Sequence, residues 1–173
     1  MVRTEGEKVG DFRNIIKTTI SSNHMKTKNK YQYPMEGARI TYDKSPAHTG
    51  RLKHAVDFII SEGTPIKAAL DGIIVDIKQD SDIGGPDESF DKLGNYIEIE
   101  HQNGEYSIYE HIRKDGALVK VGDKVKTGQI IGYSGNTGWM AHLGPHLHFD
   151  VHKYHKPFGP EDYKTLEIRW LTS

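Results

Sequence analysis

The sequence predicts a mainly β protein, an antiparallel sandwich, from three observations. Short runs of alternating or apolar residues recur from Tyr33 onward. Glycine-bearing turns separate them, at Asp71-Gly72, Gly94-Asn95, Asn103-Gly104, Gly122-Asp123 and Gly135-Asn136. Strands of this length and spacing form a sandwich or barrel. The chain of 173 residues is long enough for one domain with a full core and too short for two large ones.

Taken in order, residues 11–20 carry Phe12, Ile15, Ile16 and Ile20 at helical spacing, with Asp11 as N-cap. Residues 21–32 are polar and basic, as expected of a connector in which His24 is solvated. The division is therefore 1–32 as an N-terminal helical or irregular segment and 33–173 as the domain. Predicted strands are Ala38–Tyr42, Ala55–Ile60, Pro65–Ala69, Gly72–Gln79, Tyr96–His101, Glu105–His111, Gln129–Ser134 and His146–His152. Residues 80–92 are acidic and too long for a hairpin, so they are either a functional wall or a disordered insert. Asp80, Asp82 and Asp87 lack the order of an EF-hand loop.

A formal charge of -1 gives no electrostatic case for nucleic acid or a membrane surface. No apolar run is long enough to span a bilayer, and Met1–Lys8 has no signal-peptide pattern. Ten histidines and no cysteine require any zinc site to use His with Asp or Glu, the catalytic rather than the structural kind.

The histidines gather in three segments. In Gly144-Pro-His-Leu-His-Phe-Asp150, His146 and His148 point the same way if the segment is a strand. Residues 46–58 hold His48, His54 and Asp57, and Tyr106–His111 is an alternating run ending in His111. A hydrolytic zinc needs three protein ligands and one open position for water.

These residues resemble the LytM/lysostaphin-type zinc metallopeptidases (peptidase family M23). The likeness runs through His54-Ala-Val-Asp-Phe58, Glu62-Gly-Thr-Pro-Ile66, Ala69-Leu-Asp-Gly72, Gly94-Asn-Tyr-Ile97 and Tyr109-Glu-His111. It continues through Val121–Gln129, Ile131–Gly138 and Gly144–Phe149. The resemblance implies a barrel-sandwich hybrid fold and an endopeptidase acting on peptidoglycan cross-links or stem peptides, outside the cell or in its envelope. It implies one zinc per chain, held by Asp57, His148 and a further histidine, with His111 and His146 as the non-ligand catalytic pair.

The remaining ligand is open between two positions. The most familiar spacing falls on Lys53, which cannot serve beside a divalent cation; a looser form of the motif falls on His48. His54 is the rival, but on an extended strand its odd separation from Asp57 turns it to the opposite face, and His48 is preferred. Tyr42 is a candidate donor to the oxyanion, or a surface strand residue. Asn95 and His101 read as turn and strand-end residues, and His142, His152 and His155 as solvated. Tyr31, Tyr33 and Trp139 read as groove, core or rim. Two other functions fit parts of the pattern. One is an inert LytM-like module that docks onto cell-wall enzymes, disfavoured by a complete ligand set. The other is a biotinyl-type carrier, suggested by Val119–Gln129 but lacking a lysine-tipped hairpin.

Overall fold

The computed structural model describes residues 26–37, 39–41, 45, 47–153 and 163–171. The predicted helix at 11–20, His24, Tyr42 and His155 lie outside them. Among the described residues, twelve strands follow in chain order: β1 (Arg39–Thr41), β2 (Val56–Ile59), β3 (Pro65–Lys67), β4 (Gly72–Lys78), β5 (Gly84–Gly85), β6 (Tyr96–His101), β7 (Glu105–Glu110), β8 (Ile112–Ala117), β9 (Lys124–Val125), β10 (Ile130–Ser134), β11 (Gly138–Trp139) and β12 (His146–His152). A seven-stranded sheet has the order β1-β2-β12-β7-β6-β4-β9, and β3-β10-β8 form a smaller one. Every pairing in these two sheets is antiparallel. The mainly β antiparallel architecture expected from the sequence is the one observed. Among the described residues no helix is long and apolar enough to cross a membrane.

Alternation along β12 explains its placement. Leu147, Phe149 and Val151 enter the apolar core with Val56 and Phe58 of β2, Ile97 and Ile99 of β6 and Tyr109 of β7. Ile66, Ile112 and Ile131 bring the smaller sheet onto the same core. Full burial of side chains such as Phe58, Leu147 and Phe149 contributes about 1.5–3 kcal/mol each. The intervening residues His146, His148, Asp150 and His152 share the opposite face, yet they are buried too. That polar face is where the chemistry collects.

Four strands, β5, β8, β9 and β11, fall outside the predicted ranges. Strand β8 reads Ile-Arg-Lys-Asp-Gly-Ala and is held by pairing with β10. The acidic segment 80–92 is an ordered wall. Its β5 pairs in parallel with β11, and a 3-10 turn at Glu88–Leu93 is capped by the Asp87 side chain, which accepts from Ser89 N–H. Asp80 and Asp82 face Lys78 and Lys114 at 2.6 and 3.7 Å.

The expected connector is anchored over 26–32. Bridges join Lys26 to Glu167 and Tyr31 to Trp170, and Tyr31 is fully buried. The anchor is Glu105, itself fully buried. It accepts from the Lys28 backbone N–H, from the Asn29 N–H at 3.1 Å and from the Tyr31 hydroxyl at 3.0 Å. Polar side chains of the segment are tied down as well: Thr27 Oγ1 donates to Asn29 O and Asn29 Nδ2 to Gln102 O, at 2.9 and 2.8 Å. Replacing Glu105 with Gln keeps the volume but removes the charge that the Lys28, Asn29 and Tyr31 donors meet. An expected loss of about 1–3 kcal/mol is read from urea denaturation, and unchanged stability would show that the carboxylate is not what holds this segment.

Candidate metal centre

Register builds the site. His148 on β12 stands directly opposite Asp57 on β2 and, on its other side, opposite Glu110 on β7. Side chains directly opposite in an antiparallel pair have Cβ atoms about 4.5–5.5 Å apart, so the three share one row on the polar face. His48 enters from the loop before the 3-10 turn Gly50–Leu52, with its side chain 1% exposed.

The donor atoms converge. His48 Nε2 lies 3.1 Å from Asp57 Oδ1 and 3.3 Å from His148 Nδ1, and His148 Nδ1 lies 3.1 Å from Asp57 Oδ1. Ligand atoms of all three residues fall within 4.8 Å of one another. Metal–ligand bonds of 2.0–2.1 Å in a tetrahedron place donors about 3.3 Å apart, so two imidazole nitrogens and one carboxylate oxygen at these separations suit zinc. Burial works against the charge of Asp57, but hydrogen bonds from His148 and His48 hold its carboxyl well below the usual range. Burial likewise opposes charge on His148, while Asp150 and Asp57 on either side raise its pKa well above the ordinary value.

Two further imidazoles adjoin the cluster. His111 and His146 lie with ring centroids 4.5 Å apart, and His111 is 6.1 Å from His148. Each commits Nδ1 to a carbonyl, His111 to Thr137 O at 2.6 Å and His146 to Gly144 O at 3.0 Å. A carbonyl only accepts, so Nδ1 carries the proton and Nε2 keeps its lone pair. Burial, then the charges of His146 and His148, push His111 down to about 3, and burial lowers His146 as well. Both are neutral bases at neutral pH.

The backbone around His111 is unusual. His111 itself has φ of 64°, a left-handed conformation that costs of order 1–3 kcal/mol for such a residue. Gly138 has φ of +84°, and a Cβ there would meet the Gly94 Cα at 2.6 Å. Only glycine lets this loop close far enough for the Thr137 carbonyl to reach His111.

Of the residues named from the sequence, His48, Asp57, His111, His146 and His148 are brought together. His54 is not among them. It lies in a turn before β2, where strand alternation does not apply, and borders a separate hollow with Lys53, Val56, Glu167 and Trp170. Trp139 and Met140 line the cavity beside Asp57, His111, His146 and His148, with Trp139 Nε1 donating to Pro86 O at 3.3 Å. His142 stands exposed, as expected. His152 does not: it is fully buried, 2.9 Å from Asp150 and 3.0 Å from Glu98. Asp150 lies two residues back on the same face of β12, whereas Glu98 comes from β6, 54 residues away in sequence. Asn95 is fully buried and ties Ser81 to Ile112, and His101 is buried with Nδ1 2.8 Å from Asp71 O.

Sequence reasoning missed two carboxylates of the cavity wall, Asp91 and Glu110. Burial pushes Glu110 up to about 7, with His148 opposing and Asp150, Asp91 and Asp57 adding to the rise. Its alternation with Tyr109 along β7 was the available signal.

Residues 51–160 match peptidase family M23. An uncharacterized metalloprotease of Buchnera aphidicola is 40% identical over 128 residues, 74% of this chain and 29% of that protein. The peptidoglycan DD-endopeptidase ShyC of Vibrio cholerae is 34% identical over 148 residues, 80% of this chain and 30% of its own length. The chain thus spans less than a third of these relatives. A mutant catalytic domain of the prophage-encoded M23 protein EnpA from Enterococcus faecalis superposes with a TM-score of 0.56 at 28% identity, covering 78% of this chain and 92% of that one.

The geometry separates the rival histidines by experiment. His48→Ala is expected to abolish zinc uptake, and His54→Ala to leave it nearly intact, in titrations read by competition with a chelating dye. Zinc lost in His54→Ala and kept in His48→Ala would require the donor set to be redrawn around residue 54.

Proposed function

The chain belongs to peptidase family M23, and from that premise we propose that it is a zinc-dependent endopeptidase that hydrolyses peptide bonds in peptidoglycan cross-links or stem peptides. The observation that carries the reading is the convergence of His48, Asp57 and His148 beside two neutral histidines. That ShyC is a peptidoglycan DD-endopeptidase supports this substrate and a site of action in the cell envelope or outside it.

His48 Nε2, Asp57 Oδ1 and His148 Nδ1 would hold the ion. Zinc, when bound, polarises the scissile carbonyl and lowers the pKa of water beside it. The chain's own residues manage the protons. Nε2 of one imidazole of the His111–His146 pair takes a proton from the attacking water and delivers it to the departing amine, so that water is consumed and a carboxylate and an amine are released. The other, whose Nε2 also carries a lone pair, accepts a hydrogen bond from that water and orients it, so the negative charge that develops on the carbonyl oxygen needs an O–H donor. Tyr42 is proposed as that donor, as the resemblance implies. Trp139, Met140 and Asp91 bound the cavity.

Digestion of purified cross-linked peptidoglycan, followed by mass spectrometry of the fragments, tests this. The expected result is loss of cross-linked species with new free amines, stopped by a chelator and restored by zinc. Binding to the wall without products would establish the inert docking module instead. His111→Ala and His146→Ala are expected to retain zinc while turnover falls ~10²–10⁴-fold. Equal zinc loss in these variants and in Asp57→Ala would overturn the division between ligands and catalysts.

A further inference from the structure

We propose that Asp150 is a positioning residue for the metal site, fixing the ring of His148 from behind, and that it is itself held by Tyr163, His152 and Glu98. The inference rests on the zinc reading above. His148 turns Nδ1 toward Asp57 and His48, and its Nε2 lies 3.5 Å from Asp150 Oδ2. An imidazole that coordinates through one nitrogen can still pivot. A carboxylate at the other nitrogen selects the tautomer, fixes the ring plane and raises the basicity of the donor.

Asp150 is in turn over-determined. The Tyr163 hydroxyl donates to it, 2.9 and 2.8 Å from Oδ1 and Oδ2, and His152 Nδ1 lies 2.9 Å from Oδ1. His152 Nε2 lies 3.0 Å from Glu98 Oε1, and the Tyr106 ring stacks on His152 at 6.0 Å. Glu98, Asp150 and His152 are fully buried and Tyr163 is 2% exposed. Sheet register makes this chain of contacts. Asp150 and Glu98 both stand opposite Ile108, one from each side, and His152 spans the gap between them. Tyr163 lies beyond the residues 51–160 that match the family, so one support of the site comes from outside the matched region.

The test uses the whole chain with Asp150→Asn, Tyr163→Phe and, as a control of equal burial elsewhere, Glu105→Gln. Zinc dissociation constants come from dye competition and ligand geometry from the visible spectrum of the cobalt(II) form. Asp150→Asn is expected to weaken zinc about 10–100-fold and to alter the cobalt spectrum, with Tyr163→Phe doing the same to a smaller degree. Glu105→Gln should lower thermal stability without moving either readout. Asp150→Asn within twofold of the parent, with an unchanged spectrum, overturns the proposal, as does equal weakening in Glu105→Gln. If Asp150→Asn does not fold, Tyr163→Phe decides, and unchanged affinity there overturns the proposal. A parent protein that takes up no zinc overturns the zinc reading as well, whereas zinc bound equally by parent and variants overturns this inference alone.

Discussion

The register between β2 and β12 is the constraint on which the rest of the site depends. It sets Asp57 opposite His148, and period-two alternation then dictates everything else on that face. A slip of one residue would turn Leu147 and Phe149 out of the core and bring His146 and His148 into it. The apolar packing of Val56, Phe58, Leu147 and Phe149 therefore selects the same alignment that assembles the donor atoms. Core and site are two faces of one decision.

Burying so polar a face carries a penalty that geometry must offset. Removing charged groups from water costs several kcal/mol per ion unless partners replace the hydration. Here the partners are close on all sides: Asp57 touches two imidazoles, and Asp150 touches His148, His152 and Tyr163. By contrast, burial keeps His111 and His146 uncharged, against the pull of the carbonyls that accept from their Nδ1. Charged groups with matched partners and neutral bases thus coexist within one small cavity.

The alternation His-Leu-His-Phe-Asp-Val-His was legible in the sequence, as was the strand ending at His111, because both carry the period that a half-buried strand imposes. Strand β8 was not, since its order comes from pairing with β10 rather than from its own polar residues. The choice of His48 came from resemblance, and the alternation argument against His54 fails because that residue sits in a turn. His152 looked solvated because, besides Asp150 two residues back, its partners Glu98 and Tyr163 are 54 and 11 residues away. Long-range pairing of buried charge leaves no local trace.

The parallel contacts between residues 26–31 and 167–171 have a mechanical consequence. Thr27 N–H meets Glu167 O, Tyr31 N–H meets Arg169 O, and Leu171 N–H meets Tyr31 O, at 3.0, 2.9 and 2.8 Å. Because the segments run in the same direction, tension drawn through the chain before Lys26 and after Leu171 loads them lengthwise, in shear. These bonds must then yield together rather than peel one by one, so the segments that tie off the domain would act as a clasp when the protein is pulled by its ends.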